Sequence, residues 1–227
     1  MKSTSVMAGT YHHGNLRQAL LDQALASLRK RGAENLSLRD LARAIGVSQA
    51  APYRHFPDKD SLLAQLATLG YRELGRAMRA ALGQARSDGT SGLQAAGVSY
   101  VQFALRHPEQ YRLMFGSYRI DQARHVELVR AANDAYSVLL ETVREGVDSA
   151  ELTDEPVEIV AAAAWSIVHG LASLIIDERL GAKSSREATA IAERVTGLLI
   201  DGLARRTPGS HGKPVAGKLT RSKHSTD

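Results

Sequence analysis

The 227-residue sequence predicts an all-α protein, with an N-terminal three-helix unit that carries a helix-turn-helix, joined to a larger helical body. Three observations carry this prediction. Apolar residues recur at three- and four-residue spacing along most of the chain, and no alternating strand pattern competes. Glycine, proline and capping residues fall between those stretches, where helices start and stop. The stretch from Leu36 to Leu63, LSLRDLARAIGVSQAAPYRHFPDKDSLL, reads as two short helices around Gly-Val-Ser, followed by the first turn of a third.

Taken in order, residues 1–13 form an arm, its first ten residues expected to be disordered. A first helix is predicted from about Asn15 to Arg31, with Leu16, Leu20, Ala24 and Leu28 on one face and capping-box spacing between Asn15 and Gln18. Ser37 is a natural N-cap, and Asp40 completes a capping-box-like start. Leu38, Leu41, Ala42 and Ile45 share a face, and Gly46 can end that helix in a left-handed conformation at little cost. Ser48 is a second N-cap for a short helix from Gln49 to His55. Pro52 lies in its first turn and restricts Ala51, so this helix is expected to start distorted. Pro57 ends it, Asp58 caps the next helix, and Lys59 lies in that helix's first turn.

The body follows the same logic. A helix is predicted from about Lys59 to Ala85, ended by the turn-rich SDGTSG at 87–92. Further helices are predicted over about 93–106, 109–115 and 121–149. TDEP at 153–156 opens a helix that runs to about Leu180, with Pro156 in its first turn and Gly181 as its stop. A last helix spans about 185–205. The tail, 207–227, has only Val215 and Leu219 as aliphatic residues larger than alanine and is expected to stay disordered.

A helix-turn-helix places its second helix in the DNA major groove. Tyr53, Arg54, His55 and Lys59 put four phosphate partners around that short helix. Charge agrees: residues 1–60 carry 9 basic and 5 acidic side chains, residues 61–206 carry 16 and 18, and residues 207–227 carry 4 and 1. The basic balance therefore sits at the N-terminal end, as a nucleic-acid partner there requires, with a second small excess in the tail.

Residues 36–63 resemble the DNA-binding domain of the TetR/AcrR family of bacterial transcription regulators. The resemblance extends upstream through TYHHGNLRQALLDQALASLRKRG. Downstream, HPEQYRLMF at 107–115 and AWSIVHGLASL at 164–174 resemble a subgroup whose C-terminal domain is named for a Trp-His-Gly signature, here Trp165, His169 and Gly170. The resemblance covers about 14–205. It implies a helix-turn-helix domain over 14–58, a ligand-binding and dimerisation domain over 59–206, a double-stranded DNA operator and a small-molecule effector. It also implies a homodimer through the last two long helices, about 156–180 and 185–205. There, small residues at Ala161 to Ala164, Gly170 and Ala172 and the apolar row Ile191, Val195, Leu198, Leu199 and Leu203 would pack as a four-helix bundle. Repression, relieved by effector, is the role the resemblance favours.

The site residues follow. Ser48, Gln49, Ala50 and Pro52 begin the recognition segment, where Gln49 suits an adenine edge and Ala50 a thymine methyl. Tyr53, His55 and Lys59 are assigned to phosphates, and Ser37 and Arg39 to the backbone from the preceding helix. Phe56 is assigned to the core with Leu20, Leu41 and Ile45. Trp165 and His169 share a helix face. That face lines a ligand cavity with Tyr111, Met114 and Phe115, or is a buried tryptophan beside a satisfied core histidine; both readings stay open.

Other classes find little support. There is no cysteine, hence no disulfide or thiol chemistry. No nucleophile elbow, phosphate loop, dinucleotide fingerprint or H-E-x-x-H motif occurs, and the histidines lack metal-ligand spacing, so no catalytic residue, metal or cofactor is assigned. No apolar run is read as a membrane span and no signal peptide is read, so a cytoplasmic protein is expected. The alternatives are an architectural DNA binder without effector and an all-α enzyme.

Overall fold

The computed structural model describes residues 16–116, 118, 120–182 and 184–204. The N-terminal arm with His12 and His13, the Asn15 cap and the basic tail lie outside them. Eight α-helices are found among the described residues: α1 (Leu16–Arg31), α2 (Leu38–Ala44), α3 (Lys59–Asp88), α4 (Gly92–Arg106), α5 (Pro108–Phe115), α6 (Val126–Asp148), α7 (Val157–Ile176) and α8 (Ser185–Leu203).

The N-terminal unit closes on Leu20, Leu21, Ala24 and Leu28 of α1, Leu38 and Leu41 of α2, and Phe56, all buried. Phe56 and Ile45 join this cluster as expected. α2 ends in a hydrogen-bonded cap: the Val47 N–H donates to the Ala42 carbonyl and the Gly46 N–H to that of Arg43. Gly46 holds φ +75°, a conformation that strains other residues.

Three local expectations are corrected. Ser37 precedes α2 with extended backbone, but its side chain makes no cap bond, and Asp40 pairs instead with Arg43 at 3.0 Å. The recognition segment is no α-helix over Gln49–His55 but a single 3-10 turn, Ala51–Arg54. Pro52 supplies no N–H, and its carbonyl instead receives the N–H groups of both His55 and Phe56 at 2.9 Å. That turn begins at Ala50 without a side-chain cap, and Ser48 contributes its carbonyl to the Ala51 N–H rather than its hydroxyl. Asp58, by contrast, caps α3 as expected, accepting the Ser61 N–H at 2.7 Å.

α3 is the spine of the molecule. Leu62, Leu63, Leu66 and Ala67 finish the N-terminal cluster together with Leu113 of α5 and Leu128 of α6, so one apolar core crosses from the helix-turn-helix into the body. Gly70 lets α5 press against α3, since a methyl there would collide with Met114 and Gln110. The rest of the body packs as two further clusters, one around Tyr100, Phe103, Tyr111 and Val138, the other around Leu93, Val143 and Ala161.

The helix predicted over 121–149 is two elements, a 3-10 turn Gln122–Arg124 and α6. The Asp121 side chain accepts the Ala123 N–H, and His125 leaves helical geometry between them. α7 ends at Ile176 rather than near Leu180, because Glu178 takes a left-handed φ of +57° and closes the helix before Gly181. α7 is also, by length and composition, apolar enough to cross a membrane, contrary to the expectation of no such run; a third of that window is buried within the chain.

Candidate nucleic-acid interface and ligand cavities

Ser48, Gln49, Ala50, Tyr53, Arg54 and His55 form one exposed strip around the 3-10 turn, and Arg39 and Arg43 extend it on α2. The strip is presented by two buried anchors, Pro52 and Phe56. Pro52 therefore supports the surface and does not belong to it, a correction to its assignment as a contact residue. Ser37 is half-buried at the edge. Lys59 is half-buried and already engaged: its Nζ donates to the Glu34 carbonyl at 2.6 Å and lies 5.3 Å from the Tyr118 ring. Arg54, one of the four phosphate partners, is exposed, and Arg43, paired with Asp40, is a further exposed cation on α2 that was not assigned.

Behind this surface the start of α3 is tied to the body. Arg124 donates to Asp58 at 2.6 Å, and His125 bonds Asp60 at 2.8 Å. The Arg124 bond, with the Ser61 N–H, lowers the Asp58 carboxyl from 3.8 to about 2. A lowered carboxylate contributes stability in full above its unfolded value and loses it as pH falls through the folded one, here from about 4 to about 2. In Arg124→Leu the Asp58 titration midpoint, followed by NMR, is expected to rise from about 2 towards 3.8. An unmoved midpoint would mean that the ion pair does not hold the carboxyl.

In the body, the residues assigned to one ligand face divide between two cavities. The outer cleft, about 510 Å³, lies between the end of α1 and helices α5 and α7; Tyr111, His169 and Ser173 line it together with Arg31 and Arg112. The inner cavity, about 270 Å³, lies between α3, α6 and α7 and is lined by Trp165 and by Tyr71, Leu74, Met78 and Tyr136. Phe115 borders both. Met114 lines neither cavity: it packs, half-buried, against the N-terminal cluster and the Tyr100 cluster. Tyr71, Met78, Tyr100 and Tyr136 were not singled out, because each sits on a helix whose apolar periodicity explains it as core.

His169 Nδ1 lies 2.9 Å from the Tyr100 hydroxyl and 2.8 Å from that of Tyr111, so it is a satisfied histidine within the wall between the two cavities. The neutral ring nitrogen accepts one proton, and the Tyr111 hydroxyl has a second acceptor in the His169 carbonyl at 3.2 Å. Burial pushes the His169 imidazole below 6.5. A base whose folded value is lowered resists protonation in the native state, so this contribution is whole above 6.5 and erodes as pH falls below it.

α7 carries a second exposed feature. Ile159, Ala162, Ala163, Ser166, Ile167 and Leu174 form one open stripe, while Ala161, Ala164 and Ala172 face the chain's own core. On α8, Leu198 is 73% exposed, and Ile191, Val195, Leu199 and Leu203 are half-buried against the body. The small residues thus serve two different contacts, and the apolar row of α8 is mostly spent internally.

Comparison with known proteins gives consistent matches along the chain. Residues 20–66 match the bacterial regulatory proteins of the tetR family, and residues 93–199 match the tetracyclin repressor-like C-terminal domain. A curated relative, the HTH-type transcriptional regulator BetI of Brucella canis, is 35% identical over 92 residues, 39% of this chain and 46% of that protein. The match thus spans about half the length of such relatives. A solved protein of unknown function from Rhodococcus sp. RHA1 is 31% identical with TM-score 0.72, covering 86% of this chain and 99% of that one. The TetR family transcriptional regulator PfmR from Thermus thermophilus shares the fold at 21% identity and TM-score 0.66, covering 82% and 99%.

Proposed function

We infer that this chain, which belongs to the TetR family of bacterial regulatory proteins, is a ligand-responsive DNA-binding transcriptional regulator. Residues 14–58 are the DNA-binding unit and 59–206 the effector and dimerisation unit. The observation that carries the reading is the exposed strip Ser48, Gln49, Ala50, Tyr53, Arg54 and His55 on a buried Pro52–Phe56 anchor, inside the matched N-terminal region. The chain acts as a regulator rather than an enzyme, and works in the cytoplasm where its DNA is. The presence of Trp165, His169 and Gly170 in the sequence of α7 supports the reading of a Trp-His-Gly subgroup.

The partner is a pseudo-palindromic operator bound by a homodimer, with α7 and α8 as the shared face. An isologous face needs a self-complementary apolar surface, which the open stripe of α7 with Leu198 supplies. The role is repression relieved by effector. α3 and α6 bound the inner cavity, and the start of α3 is held by Arg124 and His125, just ahead of α6, beside the helix-turn-helix. An effector that separates α3 from α6 therefore moves the DNA-binding unit, provided it binds the two states with different affinity.

The test separates base readout from phosphate anchoring. Gln49→Ala is expected to cost about 1–3 kcal/mol at one base position and relax the preference there. Arg54→Ala is expected to weaken all sequences alike and to lower the salt slope by about one. Equal losses by Gln49→Ala on operator and unrelated DNA would argue for an architectural binder.

A further inference from the structure

The inner cavity has a composition the rest of the molecule lacks. Five aromatic rings border it, those of Tyr71, Tyr100, Phe115, Tyr136 and Trp165, from a chain with one Trp, seven Tyr and three Phe. Leu74, Met78, Ala132, Ala135 and Leu139 complete an apolar lining, with Asn133 at the rim, and no acidic or basic side chain is among them.

The polar atoms of the wall divide into spent and free. The Tyr71 hydroxyl donates to the Met114 carbonyl at 3.0 Å. The Tyr100 hydroxyl is taken by His169 and Trp165. Among the described residues, nothing in the chain engages the Tyr136 hydroxyl or the Asn133 amide. Burial raises both Tyr71 and Tyr100, Tyr71 to about 12, so both hydroxyls stay neutral.

Resting on the regulator reading above, we propose that the effector of this cavity is an uncharged, planar, one- or two-ring aromatic compound with one hydrogen-bonding substituent. Size sets the upper limit. A cavity of about 150 Å³ lined by apolar side chains holds benzene, and this one, at about 270 Å³, has room for a second ring or a short substituent. Ring walls favour a flat guest through edge and offset contacts. Charge sets the class. An anion entering the cavity meets no cation, and its desolvation goes uncompensated. An onium ion would meet ring faces. It would find no carboxylate in the lining, and Tyr71 and Phe115 already pack edge-to-face at 5.5 Å. The substituent is met by Tyr136 and Asn133 of α6, while the rings press on Tyr71, Leu74 and Met78 of α3.

Calorimetry on the full chain with three probes of similar size tests this: 2-naphthol, 2-naphthoate and benzyltrimethylammonium. The expected result is saturable binding of 2-naphthol, one per chain, at least tenfold tighter than either charged probe. Ala132→Phe, which fills the cavity from a half-buried position, should weaken 2-naphthol at least tenfold. Tyr136→Ala, which removes one wall and a polar handle, gives the same reading should Ala132→Phe not fold. Binding of a charged probe as tight as 2-naphthol, no binding of any probe, or indifference of 2-naphthol to both variants overturns the proposal. Operator binding without probe is measured on the same samples. If it is intact, the ligand class alone has failed; if sequence-specific DNA binding is absent in the unaltered chain, the regulator reading has failed.

Discussion

Converting the open stripe of α7 to a charged one, with Ala163→Glu and Ile167→Glu together, is expected to give a folded monomer whose operator affinity falls about 10²–10⁴-fold. Both side chains are exposed in the single chain, so neither substitution opens the core. In the proposed two-fold dimer through α7 each glutamate would be buried at the shared face, where desolvation and like charge act together. The loss on DNA follows from geometry. Two recognition segments on one dimer make binding of the second half-site intramolecular, and a monomer loses that advantage without losing any contact in a single half-site. Light scattering and operator titration check this. A double variant that stays dimeric would move the interface off α7, and a monomer with undiminished affinity would remove the palindromic operator.

Phe56→Ala is expected to be the most damaging single change to DNA binding. Phe56 is 3% exposed and closes the cluster of α1, α2 and α3, with Arg17 over its ring at 5.4 Å. Truncating a buried phenylalanine costs about 3–5 kcal/mol. Phe56 belongs to the cluster that holds α1 and α2 onto α3, whereas the body keeps two further clusters of its own. Operator binding should therefore vanish while the body stays helical and dimeric. Hydrogen exchange would show lost protection over α1 and α2 with α4, α7 and α8 unchanged. Unaltered protection of α1 and α2 would mean that the anchor role of Phe56 is wrong.

What was legible in the sequence is what local periodicity and caps encode. Leu20, Ala24 and Leu28 announce the buried side of α1, Gly46 its neighbour's end, and Asp58 the start of α3. The 3-10 turn at Ala51–Arg54 was half-legible: Pro52 announced distortion but not that its side chain would be buried. The early end of α7 was hidden because Glu178, a residue with no turn preference, takes a left-handed position ahead of Gly181, which is left-handed as well. The split at His125 is set by contact with Asp60, 65 positions away, which no local pattern carries. The cavity was the least legible. Trp165 and His169 share a helix face and their rings touch edge-on at 5.8 Å, yet Trp165 borders the inner cavity and His169 the outer cleft. Its walls come from α3, α4, α5, α6 and α7, and each wall residue read singly is ordinary core.

The measurement that bears most directly on the central claim is selection of bound DNA from a random duplex pool by the full chain at about 0.15 M salt, with unrelated competitor present. Enrichment of an inverted repeat whose half-sites lie about one helical turn apart is expected, with loss of that enrichment in Gln49→Ala. A bound pool with no common sequence, or binding that disappears at that salt, would contradict it.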